Sequence, residues 1–182
     1  MLGPELTASV LPCSLIGLPG CGKSSIGKAL AQRLSWPFVD SDKVIEERAG
    51  CTIAALFARE GEAEFRRREA EVLSSLVGAG RAVIATGGGA VLRGDNRNLL
   101  RTHTVSVYLH APHELLWKRL RRDRRRPLLQ VADPEARLRE LSAARDPLYR
   151  ETAHIVVEVD GRAPDAVIED IVHHITGPGQ RS

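Results

Sequence analysis

The 182 residues have the length of one domain, long enough to bury a sizeable core. Hydrophobic residues at 43% and charged residues at 27% exclude a disordered or fibrous chain, and an aromatic share of 4% argues against stacking platforms for single-stranded nucleic acid. The net charge of +3 is local in origin: residues 117–126 carry Lys118 and six arginines against Asp123, which leaves the rest of the chain at −3. Such a cluster suits the gripping of an anion better than lying along DNA. Cys13, Cys21 and Cys51 are odd in number and lack CxxC spacing, so reduced thiols in a cytoplasmic protein are expected. The uncharged stretch 6–22 is broken by Pro12, Pro19 and several glycines and has no basic region before it, which fits neither a membrane span nor a signal peptide.

Short apolar runs alternate with longer amphipathic ones. A buried strand is expected at 11–16, a helix at 23–34, and a short strand at 38–39 running into Asp40. Helices are expected at about 43–48 and 60–77, then strands at 82–85 and 104–109. A helix at 112–122 follows, then one at 134–144, a strand at 155–159 and a helix at 164–175. Pro134 and Pro164 stand in first-turn positions. Strands of four to six residues separated by helices predict an α/β fold with a parallel sheet covered on both faces. The basic segment 119–133, with Pro127 in its middle, reads as a mobile lid, and the tail 177–182 as frayed.

Gly17-Leu18-Pro19-Gly20-Cys21-Gly22-Lys23-Ser24 matches GxxxxGK[ST] and sits where it must, between a buried strand and a helix start. Glycines let the backbone turn its N–H groups onto phosphate oxygens, and the helix adds the positive end of its dipole. Lys23 is expected to reach the β and γ phosphates, Ser24 to bind Mg²⁺ and Ser25 to reach the α phosphate. The motif points to nucleoside-triphosphate binding and is silent on the acceptor.

Asp40-Ser41-Asp42 follows the second strand, so both carboxylates can face the crevice at the strand's carboxyl end. One suits the hydration shell of magnesium and the other the proton of an acceptor hydroxyl. Capping of the next helix by Ser41 or Asp42 is the competing explanation. Thr86-Gly87-Gly88-Gly89 ends the third strand with Thr86 where a Walker B acid would stand. It is either a backbone approach for a ligand or a flexible turn. Arg66 with Glu69 and Arg67 with Glu71 have the spacing of a salt-bridged helix face. Arg145 precedes Pro147, where a helix end and a dipole-complementing arginine are expected.

Taken in order, Gly-x-x-Gly-x-Gly-Lys-Ser, Asp-Ser-Asp, Gly-Glu-x-x-Phe-Arg, Thr-Gly-Gly-Gly, Arg-Pro-Leu-Leu and Arg-x-Pro-Leu-Tyr resemble the shikimate kinase family over about 11–175. The resemblance implies a P-loop, nucleoside-monophosphate-kinase-like fold of three layers, with a five-stranded parallel sheet. It implies a single kinase domain over 1–182, a substrate-binding helical region at about 41–77 and a lid at about 119–133. The implied reaction is ATP-dependent phosphorylation of the 3-hydroxyl of shikimate, with Mg²⁺ as cofactor, in aromatic amino-acid synthesis.

Residue by residue, the resemblance puts Gly20, Cys21, Gly22, Lys23, Ser24 and Ser25 on ATP, with Ser24 and Asp40 on magnesium. Asp42 matches the proposed base. Arg66 and Arg145 match the grip on the shikimate carboxylate, with Gly88 and Gly89 as backbone contacts and Glu69 steadying the arginine. Arg126 matches a lid arginine that acts on the phosphates, while Arg119, Arg162 and Pro164 match the frame of the adenine. Lys23, Asp42 and Arg126 form the implied catalytic set. Other small hydroxy acids such as gluconate remain possible acceptors on the same fold, and a nucleic-acid-binding ATP module remains the rival from another class. A monomer is the default expectation, with ATP and shikimate as the only partners and neither nucleic acid nor membrane among them.

Overall fold

The computed structural model describes residues 11–121 and 131–177. Strands β1 (Cys13–Ile16), β2 (Phe38–Asp40), β3 (Val83–Ala85), β4 (Val105–His110) and β5 (Ile155–Glu158) form one parallel sheet in the order β2-β3-β1-β4-β5. β1 lies at the centre with all four residues buried, which explains why its apolar run shows no alternation. Both of its neighbours, β3 and β4, lead away from it in opposite directions, so a crevice opens above the carboxyl end of β1.

Helices α1 (Lys23–Leu34), α2 (Ser41–Ala49), α3 (Ile53–Gly78), α4 (Gly94–His103), α5 (His113–Leu120), α6 (Pro134–Thr152) and α7 (Pro164–Thr176) connect the strands. The main core gathers Leu15, Ile16, Leu30, Ile84, Leu109, Leu116, Tyr149 and Ile171 around the sheet. A second, smaller core of Ile45, Leu56, Phe65 and Val72 joins α2 to α3 and makes a separate platform beside the crevice.

The elements that the pattern predicts are present, with three differences. Helix α3 begins at Ile53, capped by Thr52 Oγ1 accepting from the Ala55 N–H at 3.2 Å. It bends at Gly61, whose φ of 80° a residue with a side chain adopts only under strain, so the pattern shows only its second half. Helix α4 is absent from the sequence reading because a polar Gly-Asp-Asn start disguises it; Asn96 is buried and donates Nδ2 to the Ala90 carbonyl at 2.9 Å. Helix α6 runs on through Pro147 to Thr152 instead of stopping there. Its buried residues Leu138, Leu141, Arg145, Tyr149 and Thr152 hold one face on both sides of the proline. Burial of that face offsets the roughly 3 kcal/mol that an interior proline costs.

Candidate active site

Three connections leave the sheet at the same edge and build the site. After β1 the loop turns through Gly17, Gly20 and Gly22, all at positive φ. Gly22 is the N-cap residue of α1 and supplies no side-chain cap, so the first amides of the helix remain available to an anion. Lys23 folds back over the loop, donating Nζ to the Gly17 carbonyl at 2.7 Å and to that of Leu18 at 3.0 Å. Ser25 donates Oγ to the Gly22 carbonyl at 3.2 Å. Cys21 is 1% exposed, with its thiol packed beside Gly17, so it contributes to the loop's seating and leaves only its backbone for a ligand.

At the end of β2 the competition between capping and chemistry resolves within one residue. Asp40, rather than Ser41 or Asp42, is the N-cap of α2: its Oδ1 accepts from the Asp42 N–H at 3.0 Å and the Lys43 N–H at 3.4 Å. Its other oxygen, Oδ2, accepts from Ser24 Oγ at 3.1 Å. The hydroxyl and carboxylate thus meet across the P-loop as a pair of hard oxygen donors, the chemistry that suits Mg²⁺. Among the described residues no cluster of three His, Cys, Asp or Glu could hold a metal. Ser24 and Asp40 therefore fit an ion that takes most of its ligands from phosphate and water. Ser41 is buried and accepts from the Gly87 N–H at 3.2 Å, tying α2 to the glycine turn.

The third connection explains its own glycines. A Cβ on Gly87 would lie 2.7 Å from Asp42 Oδ1 and 3.0 Å from Glu69 Oε1. On Gly88 it would lie 2.8 Å from Pro19, and on Gly89 it would collide with the Arg66 guanidinium. Each glycine makes room for a different partner, so the run is a packed surface and not a loose turn. Gly88 and Gly89 donate no N–H bond among the described residues, whereas the Gly88 carbonyl accepts from Tyr149 Oη at 2.5 Å. Thr86, in the place of the missing acid, closes the β3–β1 edge by donating Oγ1 to the Leu15 carbonyl at 3.0 Å.

Facing the glycines are two arginines from distant helices. Arg66 on α3 pairs with Glu69 at 2.8 Å and Glu62 at 3.3 Å and lies 5.0 Å from the Phe65 ring centroid. Arg67 pairs with Glu71, as the spacing predicts, and also with Glu64. Arg145 is not at a helix end but mid-helix, 4% exposed, and its Nη1 is buried without a hydrogen-bond partner among the described residues. Glu69 is 1% exposed; burial pushes its carboxyl above the ordinary range, Arg66 holds it back, Asp42 pushes it up further and Arg145 opposes that. These four charges therefore share one environment. A buried, permanently charged fork with an unused N–H, beside open backbone amides, has the chemistry that suits a carboxylate.

Tyr149 and Pro19 escape sequence reasoning as site-building residues. Tyr149 stands in the Arg-x-Pro-Leu-Tyr motif, but nothing local shows that its hydroxyl crosses to the glycine turn. Of the outer residues, Arg119 donates Nη1 to the Gly20 carbonyl at 2.9 Å, and Leu120 packs on Gly20, so the end of α5 touches the P-loop. Arg162 instead pairs with Asp170 at 2.7 Å and with the Ala166 carbonyl, and Pro164 opens α7. Arg126 and most of the expected lid lie outside the described residues. No helix among the described residues is long and apolar enough to cross a membrane.

A family model for shikimate kinase matches residues 19–176. The chain belongs to the shikimate kinase family. A shikimate kinase from Nitrosospira multiformis is 49% identical over 162 residues, covering 89% of this chain and 83% of that protein. A second, from Paracidovorax citrulli, is 48% identical over the whole chain and 98% of its own length. Among solved structures, the shikimate kinase from Acinetobacter baumannii in complex with shikimate superposes with a TM-score of 0.88 at 43% identity, over 92% of this chain and 93% of that one. Shikimate kinases are phosphotransferases, and the parallel P-loop sheet found here is the architecture that the family shares.

Proposed function

We propose that this chain is a shikimate kinase that transfers the γ-phosphoryl group of ATP to the 3-hydroxyl of shikimate, giving shikimate 3-phosphate and ADP. The observation that carries this reading is an open P-loop and a buried carboxylate site on one sheet edge, with Asp42 between them. The chain is read as one kinase domain, with the α2–α3 platform at about 41–77 presenting the acceptor. Monomeric state and a cytoplasmic location belong to the same reading.

In this reading the P-loop amides and the N-terminus of α1 seat the phosphates. Lys23 exchanges its two loop carbonyls for β- and γ-phosphate oxygens. Ser24 and Asp40 would hold Mg²⁺, which supplies charge neutralisation to the phosphates when bound with the nucleotide. Arg145 and Arg66 take the shikimate carboxylate, with Gly88 and Gly89 donating N–H groups to the substrate. This orients the 3-hydroxyl toward the P-loop. Asp42 accepts the hydroxyl proton as the oxygen–phosphorus bond forms in line and the bond to the ADP oxygen breaks. Arg119 and Arg126 are assigned to the nucleotide side, with Arg162 and Pro164 beside the adenine.

The test is coupled ADP release with MgATP and shikimate, gluconate or no acceptor. ADP formation only with shikimate is the expected result. Equal release without acceptor would leave an ATPase and overturn the acceptor half, and preference for gluconate would reassign the carboxylate site.

The state of Glu69 yields a pH dependence. Its native pKa lies above the ordinary 4.5, so on acidification it is protonated earlier than an exposed carboxylate, and Arg66 then loses its buried anionic partner and keeps only the exposed Glu62. The shikimate KM should rise at the acid end, whereas Glu69→Gln should show a raised KM that is flat with pH. For folding the sign is opposite: a raised carboxyl stabilises the native state below about 4.5, and that contribution is lost as pH rises through the native value. A KM profile that falls on acidification would instead make Glu69 a competitor of the substrate carboxylate.

A further inference from the structure

Tyr149 is buried, lies on the same face of α6 as Arg145, and reaches across 61 positions of sequence to the glycine turn. Its ring stacks on Tyr108 at 4.9 Å between centroids, and Tyr108 in turn donates its hydroxyl to Asp146 at 2.9 Å. Asp146 also accepts from Arg150 Nε at 2.8 Å. The ring is therefore fixed from behind, and its hydroxyl donates to the Gly88 carbonyl while it accepts from the Arg145 side chain. That carbonyl shares a planar, trans peptide unit with the Gly89 N–H, so the two point in opposite directions. Gly89 donates to no acceptor among the described residues and lies against the Arg66 guanidinium.

Resting on the function proposed above, we propose that Tyr149 is a positioning residue for acceptor binding: by fixing the Gly88 carbonyl it aims the Gly89 N–H at the substrate. Seizing the carbonyl sets the direction of the amide and polarises the peptide unit, which makes the N–H a stronger donor. A glycine pair has no side chain to hold its peptide plane, so an external clamp is needed here. The same residue ties the turn to Arg145 one helical turn away, so the amide and the guanidinium keep a fixed separation.

The test is Tyr149→Phe, which keeps the ring and its stack and removes only the hydroxyl. The shikimate KM should rise about tenfold with kcat and the MgATP KM within about twofold, the pattern of lost acceptor binding. Thr152→Val is the control. It removes another buried hydroxyl of α6, which donates to the Leu148 carbonyl at 2.7 Å, and should lower Tm without moving the shikimate KM. Equal KM values for the wild type and Tyr149→Phe overturn the inference alone, as do equal KM increases in both variants. No shikimate-dependent ADP from the wild type overturns the function and the inference with it. A second measurement does not depend on the variant folding: titration of the wild type with shikimate should shift the Gly89 amide proton downfield, and an unmoved resonance overturns the inference.

Discussion

Asp42→Asn should lower kcat by about 10²–10⁴-fold, the range that a positioned general base supplies, while the MgATP KM stays within about twofold. The split follows from the division of labour at the end of β2. Asp40 caps α2 and meets Ser24, so nucleotide-side geometry survives a change at position 42. Asp42 instead lies against Gly87 in the pocket of Glu69, Arg66 and Arg145, on the acceptor side. An asparagine fills the same volume, so loss of rate reports chemistry and not a collapsed turn. Steady-state kinetics with both substrates varied decides it, and retention of full turnover would remove Asp42 from the mechanism.

Lys23→Met should abolish measurable phosphoryl transfer, a loss on the order of 10³-fold or more, whatever the acceptor. In this structure the ammonium satisfies two loop carbonyls, so the substitution has two consequences of different size. The folded state loses two charge-assisted hydrogen bonds, each worth about 1.5–3 kcal/mol at most before solvent reclaims the carbonyls. The larger loss is in the transition state, where a point charge beside the transferring group has no substitute. Single-turnover assays together with a thermal melt separate the two. A variant that melts near the wild type yet turns over normally would contradict the role given to Lys23.

Much of the site is legible in the sequence where neighbouring residues alone determine the geometry. The P-loop is one such case: Gly22 at φ 102° followed by Lys23 and Ser24 is a short-range arrangement, and α1 spans 23–34 as its pattern predicts. The Arg66–Glu69 and Arg67–Glu71 pairs follow equally from helical spacing. Boundaries set by competition are less legible. Asp40, Ser41 and Asp42 are all capable caps, and only the path of β2 into α2 selects the first. Pro147 signals a helix end by its own chemistry, and the signal fails because burial of the α6 face outweighs it.

What the sequence determines by itself is a parallel α/β chain with a phosphate cradle after its first strand and a set of charged candidates for the acceptor. Those features rest on period, spacing and backbone freedom, which act over a few residues. The tertiary structure alone decides which candidates meet. It buries Arg145 beside Glu69 and Arg66, divides Asp40 between a cap and Ser24, and brings Tyr149 onto Gly88. The physical reason is range: these partners lie on different strands and helices, and only packing on the sheet brings them together. Once together, burial changes their chemistry, raising the Glu69 carboxyl and leaving an Arg145 N–H for a carboxylate to satisfy.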